Sequence, residues 1–561
     1  MLKLDTRAEY RTLLDAAALR SADDRPAIIY IATDAPAMTI SRAAFAAATG
    51  RHAAALHSLG LGPGDLVVIA HTQSLESIFA FWGALRLGAV PSMFPTLTEK
   101  LDPDVYMESM AELARLSGVA AILTTDDFAP ALRPRVSCPV YGSADLSGPD
   151  RSSVPAQVPP DTVSPGEVAF LQHSSGTTGL QKGVALSHAA VLNQLASYSS
   201  AIELREEDVI VSWLPLYHDM GLIAGFLLPL VAGVPLVLMS PFDWVQHPAL
   251  LFRAIHDYGG TLCWLPNFAY NHCARRIRRR DTDGLSAASM RLFINCSEPV
   301  RHDSHQLFLS RFAANGVRPE MLGVSYAMAE NTFAVTQTPP GAPARLDAVA
   351  PGALEQEGYA RPANPGDPDA QWRVSCGAPI AGTEVRIVDG NGRPAADRVV
   401  GEIAIRSNCL LTGYYRRPDL NPFTPDGWYL TGDRGYIAGG EVYVAGRSKD
   451  LIINAGKNIY PADIEAIVNG VPGVHAGRAV AFGVADEREG TELIAVVVEA
   501  NADGETERQA LARAIRQEVA RQTTVTVSYV HIVGPRWLLK TSSGKLARAA
   551  NRDKWLRERG A

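Results

Sequence analysis

At 561 residues, with 47% hydrophobic and 20% charged content, the chain has the composition of a globular protein long enough for more than one domain. The 52 Lys+Arg against 59 Asp+Glu leave a formal net charge of -7, which argues against a general nucleic-acid binder. The six cysteines (Cys138, Cys263, Cys273, Cys296, Cys376, Cys409) lack C-x-x-C spacing and mostly sit in apolar runs, so we expect a reducing cytoplasm and no zinc site.

Met1-Leu2-Lys3-Leu4-Asp5 carries no basic segment followed by an apolar core, and no signal peptide is expected. From residue 41 to about 335, apolar strand-like runs alternate with helical patterns: 66–70 then 74–87, 209–213 then 220–230, 291–295 then 302–312. Such repetition predicts an α/β fold of mostly parallel, doubly wound sheets covered by helices, with functional loops at strand ends.

One of these loops is unusual. Residues 168–172 read as a buried strand and 189–197 as a helix, so Ser174-Ser175-Gly176-Thr177-Thr178-Gly179-Leu180-Gln181-Lys182-Gly183 is expected to run from strand to helix. Gly176 and Gly179 let backbone N–H groups approach phosphate oxygens, the hydroxyls of Ser174, Ser175, Thr177 and Thr178 add donors, and Lys182 adds charge. A G-x-x-x-x-G-K-[ST] P-loop is excluded, because Gly183 follows Lys182 and no hydroxyl is placed for magnesium. Taken alone, the run suits a mobile loop as well as an anion cradle.

Residues 222–239 run 18 positions without a charge, the length of a membrane span, but Pro229, Gly233 and Pro235 divide them into a buried helix, a turn and a short strand. No membrane span is expected. Arg275-Arg276-Ile277-Arg278-Arg279-Arg280 reads in two ways: cations closing a helix that begins near Asn267, or a docking surface for an acidic partner. Between 338 and 373 the texture turns to Pro, Gly, Ala and charge, which predicts a long insertion or loop before β-rich residues 385–388 and 402–406. A new α+β unit begins near 446–450, with strands at 451–453, 478–484 and 493–499 and helices at 462–468 and 505–521. The chain is expected to close on a helix, with no further fused module.

Several further segments join the loop: Trp213-Leu214-Pro215-Leu216-Tyr217-His218-Asp219-Met220-Gly221-Leu222; Tyr326-Ala327-Met328-Ala329-Glu330; Tyr429-Leu430-Thr431-Gly432-Asp433; Gly446-Arg447-Ser448-Lys449-Asp450; and Lys540-Thr541-Ser542-Ser543-Gly544-Lys545. In this order and over nearly the whole chain they resemble the adenylate-forming superfamily of acyl-CoA ligases, peptide-synthetase adenylation domains and fatty acyl-AMP ligases. The resemblance implies a large N-terminal adenylation domain (1–446) of doubly wound sheets with a β-rich subdomain, and a small mobile α+β domain (447–561).

It also implies a reaction in two halves. A carboxylate attacks the α-phosphate of ATP to give an acyl-adenylate and pyrophosphate, and a thiol then takes the acyl group. By the family pattern Glu330 holds Mg²⁺, Lys182 neutralises phosphate, and Lys545 bridges the carboxylate and the α-phosphate. Asp433 and Arg447 serve the ribose, and Tyr326, with Ala327 and Met328 after it, faces Ser297-Glu298-Pro299 across the adenine. Lys449 is the hinge, and His218 lines the mouth of the acyl site. Each choice suits negative charge building on phosphorus and on departing pyrophosphate. His218 also reads as a histidine that simply hydrogen-bonds a neighbouring loop.

The wording around Pro215 to Ile223, the segment Pro266-Asn267-Phe268-Ala269-Tyr270, Ala329 where CoA ligases usually have threonine, and extra residues from about 344 to 374 resemble fatty acyl-AMP ligases. That branch implies a medium- or long-chain fatty acid as substrate and the phosphopantetheine of an acyl carrier protein as acceptor. Its insertion is thought to hamper the rotation needed for transfer to CoA. The alternative is an acyl-CoA synthetase, and a nucleotide-binding regulator without chemistry would require Lys545 or Glu330 to be missing. Gln181, Cys296 and Ser297 depart from the usual wording, and the last two bear on acyl-chain length and adenine-side packing.

Overall fold

The computed structural model describes residues 10–19, 23–97, 103–146, 163–173, 182–454, 457–486, 491–502, 504–523, 525–541 and 545–559. Two large sheets form the N-terminal part. In the nine-stranded sheet, six neighbouring strands run parallel: Leu322–Ala327, Leu292–Asn295, Leu262–Leu265, Ile210–Ser212, Leu236–Met239 and Pro26–Ile31. The seven-stranded sheet has a parallel run of Val168–His173, Val90–Met93, Leu66–Ile69, Ala121–Leu123 and Val140–Tyr141. Strands such as LVVI at Leu66–Ile69 and LVLM at Leu236–Met239 are buried at every position, because helices cover both faces.

The two sheets share one core. The helix Leu75–Arg86 places Phe81 edge-on against Phe170 of one sheet (5.7 Å) and against Phe226, which follows a strand of the other (6.2 Å). Each ring removed from water in this way contributes about 1.5–3 kcal/mol.

The segment suspected of spanning a membrane folds as its punctuation predicts: helical residues Met220–Leu227 and Leu228–Ala232, a left-handed Gly233, and the strand Leu236–Met239. Among the described residues no helix is long and apolar enough to cross a bilayer. The first of these helices is a π-helix, and its Gly221 is needed for close approach, since a Cβ there would lie 2.2 Å from the Pro215 carbonyl oxygen.

One expectation is corrected. The loop after Val168–His173 does not lead directly into a helix. Residues Gly183–Ser187 form a second strand, antiparallel to the first, and the helix His188–Ala201 begins only after Ser187, whose Oγ accepts the Ala190 N–H as its N-cap. The run Val184-Ala185-Leu186 is wholly buried and its strand finds ladder partners on both sides.

The β-rich part is an antiparallel sheet of Thr383–Val388, Gly401–Ser407, Tyr429–Ala438 and Glu441–Arg447. The residues expected to form an insertion or loop are ordered: Leu346–Val349 pairs antiparallel with Gln371–Val374, with a short helix Ala353–Gln356 between them. Val349, Ala353 and Leu354 are buried against Tyr436, Tyr443 and Tyr460, while Asp347 accepts from Arg398 (2.8 Å) and the Tyr436 hydroxyl (2.7 Å).

At the C-terminal end, Val474–Asp486, Thr491–Ala500 and Val527–Val533 form a three-stranded sheet. Helices Pro461–Asn469 and Glu505–Gln522 cover one face, and Trp555 of helix Arg548–Arg559 packs on the other.

Candidate functional site

The site gathers at the C-terminal ends of the parallel strands, where an open α/β sheet presents its loops. The strand Leu322–Ala327 delivers Tyr326, and the turn after it delivers Glu330. The Tyr326 hydroxyl donates to Asp433 Oδ2 at 2.7 Å, and Arg447 Nε donates to Asp433 Oδ1 at 3.1 Å. Asp433 and Arg447 are cross-strand partners in the β-rich sheet, so the ladder register brings them together. Attraction from Asp433 raises the Arg447 pKa, and burial followed by the Asp433 charge raises that of Tyr326.

Glu330 stands half-buried in the turn Ala329–Asn331, and burial pushes its carboxyl above the usual range. The Tyr414 hydroxyl donates to its Oε1 at 3.2 Å and lies 3.0 Å from the Tyr429 hydroxyl. Lys182 is exposed, its Nζ 4.9 Å from the centre of the same Tyr414 ring. Thr332, two residues beyond Glu330, holds φ at 62°, a costly conformation for a β-branched residue, fixed by its hydroxyl donating to the Cys409 carbonyl (2.7 Å).

Across the crevice, Ser297 also has a positive φ, 69°, between buried Cys296 and Glu298. Glu298 Oε2 accepts the N–H of Phe268 at 2.8 Å, which ties the expected adenine loop of Ser297, Glu298 and Pro299 to the start of helix Asn267–Arg276.

His218 lies beside Tyr217, with Nδ1 3.8 Å from Asp219 Oδ1, and Asp219 accepts the Met220 N–H at the start of the π-helix. Burial raises the Asp219 pKa, but His218 and Lys545 outweigh it and the net shift is downward. The Lys545 ammonium is therefore close enough to act electrostatically on Asp219, and it acts on Cys296 as well. Lys449 sits in the turn Ser448–Asp450 directly after Arg447, its pKa lowered by burial and then by Arg447.

Ser174, Ser175, Gly176, Thr177, Thr178 and Gly179 lie outside the described residues. Of the other candidates, the structure brings Glu330, Tyr326, Asp433, Arg447, Ser297, His218 and Lys545 to one crevice. Sequence reasoning missed Tyr414 and Tyr429, although Tyr429 opens the motif that ends in Asp433 and Tyr414 follows a Gly in a turn-like run.

Arg548 was missed too. Three residues beyond Lys545, it donates to Asp450 Oδ2 at 2.8 Å and to both Glu465 oxygens at 2.8 and 2.7 Å, anchoring the start of the last helix to the turn Ser448–Asp450 and the helix Pro461–Asn469. Arg301 and Arg373 both grip Asp463, at 2.9 Å and at 3.0–3.1 Å. Arg373 lies in the strand Gln371–Val374, and Asp463 in the helix Pro461–Asn469 of the C-terminal part.

Residues 14–415 match the model of the AMP-binding enzyme, and residues 463–545 match that of the AMP-binding enzyme C-terminal domain. The chain belongs to the AMP-binding enzyme family. It is an adenylate-forming ligase, with ATP as the nucleotide.

Among relatives within the AMP-binding family, the chain is 32% identical over 527 residues to the long-chain-fatty-acid–AMP ligase FadD26 of Mycobacterium bovis, covering 87% of this chain and 86% of that one. It is 34% identical to the 4-hydroxyphenylalkanoate adenylyltransferase of Mycobacterium tuberculosis, over 88% and 82% of the two chains. A solved structure from work on the fatty acyl-adenylate ligases of E. coli and L. pneumophila superposes with a TM-score of 0.88 at 28% identity, covering 99% of this chain and 98% of that one.

Proposed function

We propose that the protein joins a medium- or long-chain fatty acid to AMP and passes the acyl group to the phosphopantetheine thiol of an acyl carrier protein in the cytoplasm. The observation that carries this reading is the double grip of Arg301 and Arg373 on Asp463. It ties the C-terminal part to the rest of the chain, in an arrangement in which Lys545 acts electrostatically on Asp219 beside His218. In that arrangement Lys545 neutralises the carboxylate and the α-phosphate together as the new bond forms. Lys182 and the Ser174 to Gly179 loop receive the β- and γ-phosphates, and Asp433 and Arg447 seat the ribose, with the adenine between Tyr326 and the Ser297-Glu298-Pro299 loop.

Glu330 suits a Mg²⁺ ligand, because a carboxylate that burial holds at a raised pKa gains by meeting a hard cation. The ion would supply charge neutralisation for the phosphates of ATP. We place the domain boundary at 446/447, with Lys449 as the hinge and residues 344–374 as the insertion.

The acceptor follows from the same grip. One of the two arginines comes from the insertion, so rotating the small domain toward a CoA-loading position requires a partly buried ion pair to break. The test offers ATP and fatty acid with either CoA or holo-carrier protein. Loading of the carrier with little acyl-CoA is expected, and robust acyl-CoA formation would contradict the choice of acceptor.

A further inference from the structure

The helix Asn267–Arg276 begins at the site and ends in an arginine ridge. Phe268 N–H donates to Glu298 in the expected adenine loop, and the Asn267 side chain accepts from Asn295 and from the Arg301 N–H. Ten helical residues carry the chain about 15 Å from that point. There Arg275, Arg276, Arg278, Arg279 and Arg280 are all exposed.

The helix end accounts for only part of this cluster. Arg275 and Arg276 lie in the last turn, where cations favour the negative end of the helix dipole, an effect that falls off beyond that turn. Ile277 leaves the helix with ψ at 117°, so Arg278, Arg279 and Arg280 stand past its reach. Among the described residues, the one acidic partner of these five side chains is Asp281, 3.8 Å from Arg280. Another cation joins them: Arg311 donates to the Ile277 carbonyl at 2.8 Å, and the neighbouring Arg279 adds to the burial that lowers its pKa. Crowding like charges in a chain of net charge -7 destabilises the fold locally, and an anionic partner reverses that cost.

We propose that this ridge is the docking surface for the acidic carrier protein, an inference that rests on the carrier reading above. The arginines spread over an exposed helix end and turn, which suits a protein face better than the phosphates of a single CoA. The start of the same helix marks the site to which an extended phosphopantetheine arm must reach.

The test is an Arg278→Glu/Arg279→Glu variant, which spares the helix end. Three rates are measured: acid-dependent pyrophosphate release, acyl transfer to a holo-acyl carrier protein, and acyl transfer to free pantetheine. We expect unchanged pyrophosphate release and pantetheine transfer, with KM for the carrier raised about tenfold or more. The wild-type KM for the carrier should climb as ionic strength rises, and that of the variant should respond much less. If pyrophosphate release also falls, Arg278→Ala/Arg279→Ala, which removes charge without reversing it, decides by the same criteria. An unchanged carrier KM overturns the docking surface and leaves the carrier reading intact. A wild-type protein that forms acyl-adenylate and loads CoA but no carrier overturns the carrier reading, and the docking surface with it.

Discussion

Arg373 and Asp463 form a two-point ion pair, with Nη1–Oδ1 at 3.1 Å and Nη2–Oδ2 at 3.0 Å and side chains 12% and 16% exposed. Arg301 shares the same carboxylate, so one acidic group of the C-terminal part answers two arginines from different segments of the rest. Burial raises the Asp463 pKa, but the two guanidinium groups outweigh it and leave the carboxyl below its usual range.

Arg373→Met should loosen the small domain. Removing one partner of a largely buried pair costs roughly 2–4 kcal/mol, less than for a fully dry pair because Asp463 keeps Arg301 and some water. We expect faster proteolysis near the hinge turn and a severalfold rise in acyl-CoA formation. Limited proteolysis and thioester assays check both.

The lowered Asp463 pKa fixes a sign for pH. Its ion pairs contribute stability above the usual aspartate pKa of about 3.9, and that contribution is lost as pH falls through the lower folded value. Thermal melts of the wild type should therefore fall more steeply below about pH 4 than those of Asp463→Asn.

Glu330 behaves in the opposite way. Its raised pKa means that the fold favours the neutral acid, so without metal its charge weakens the fold as pH rises through the folded value. Glu330→Gln should melt at or above the wild-type temperature at neutral pH without Mg²⁺, yet release pyrophosphate on the order of 10²–10³-fold more slowly. A lower melting temperature would contradict this account of the carboxyl.

Arg548 acts through position. It ties the Lys545 segment to Asp450 and Glu465, so Arg548→Met should slow adenylation by about tenfold or more while leaving KM for ATP within about twofold. A change in KM alone would show a structural role.

Much of this was legible from residues. The strands around 66, 210 and 292 announced themselves as apolar runs, and Pro229, Gly233 and Pro235 told a buried helix and strand from a membrane span. The hairpin strand Gly183–Ser187 was hidden, because Val184-Ala185-Leu186 is too short for its period to tell strand from helix. The hairpin of Leu346–Val349 and Gln371–Val374 was hidden for another reason: it is stabilised by distant Arg398, Tyr436 and Tyr460, none of which marks residues 344–374 locally. Glu330, Asp433 and Lys545 stood out as motif residues. Tyr414, Arg373 and Arg548 depend on partners 84, 90 and 98 positions away, and no spacing rule reaches that far.

The central claim is that Lys545, held against the crevice, drives acyl-adenylate formation. Acid-dependent pyrophosphate release, measured across fatty-acid chain lengths for the wild type and for Lys545→Ala, tests it most directly. We predict turnover with medium or long chains and a loss on the order of 10²–10³-fold in the variant. Undiminished release from Lys545→Ala, or no release by the wild type with any acid, would contradict it.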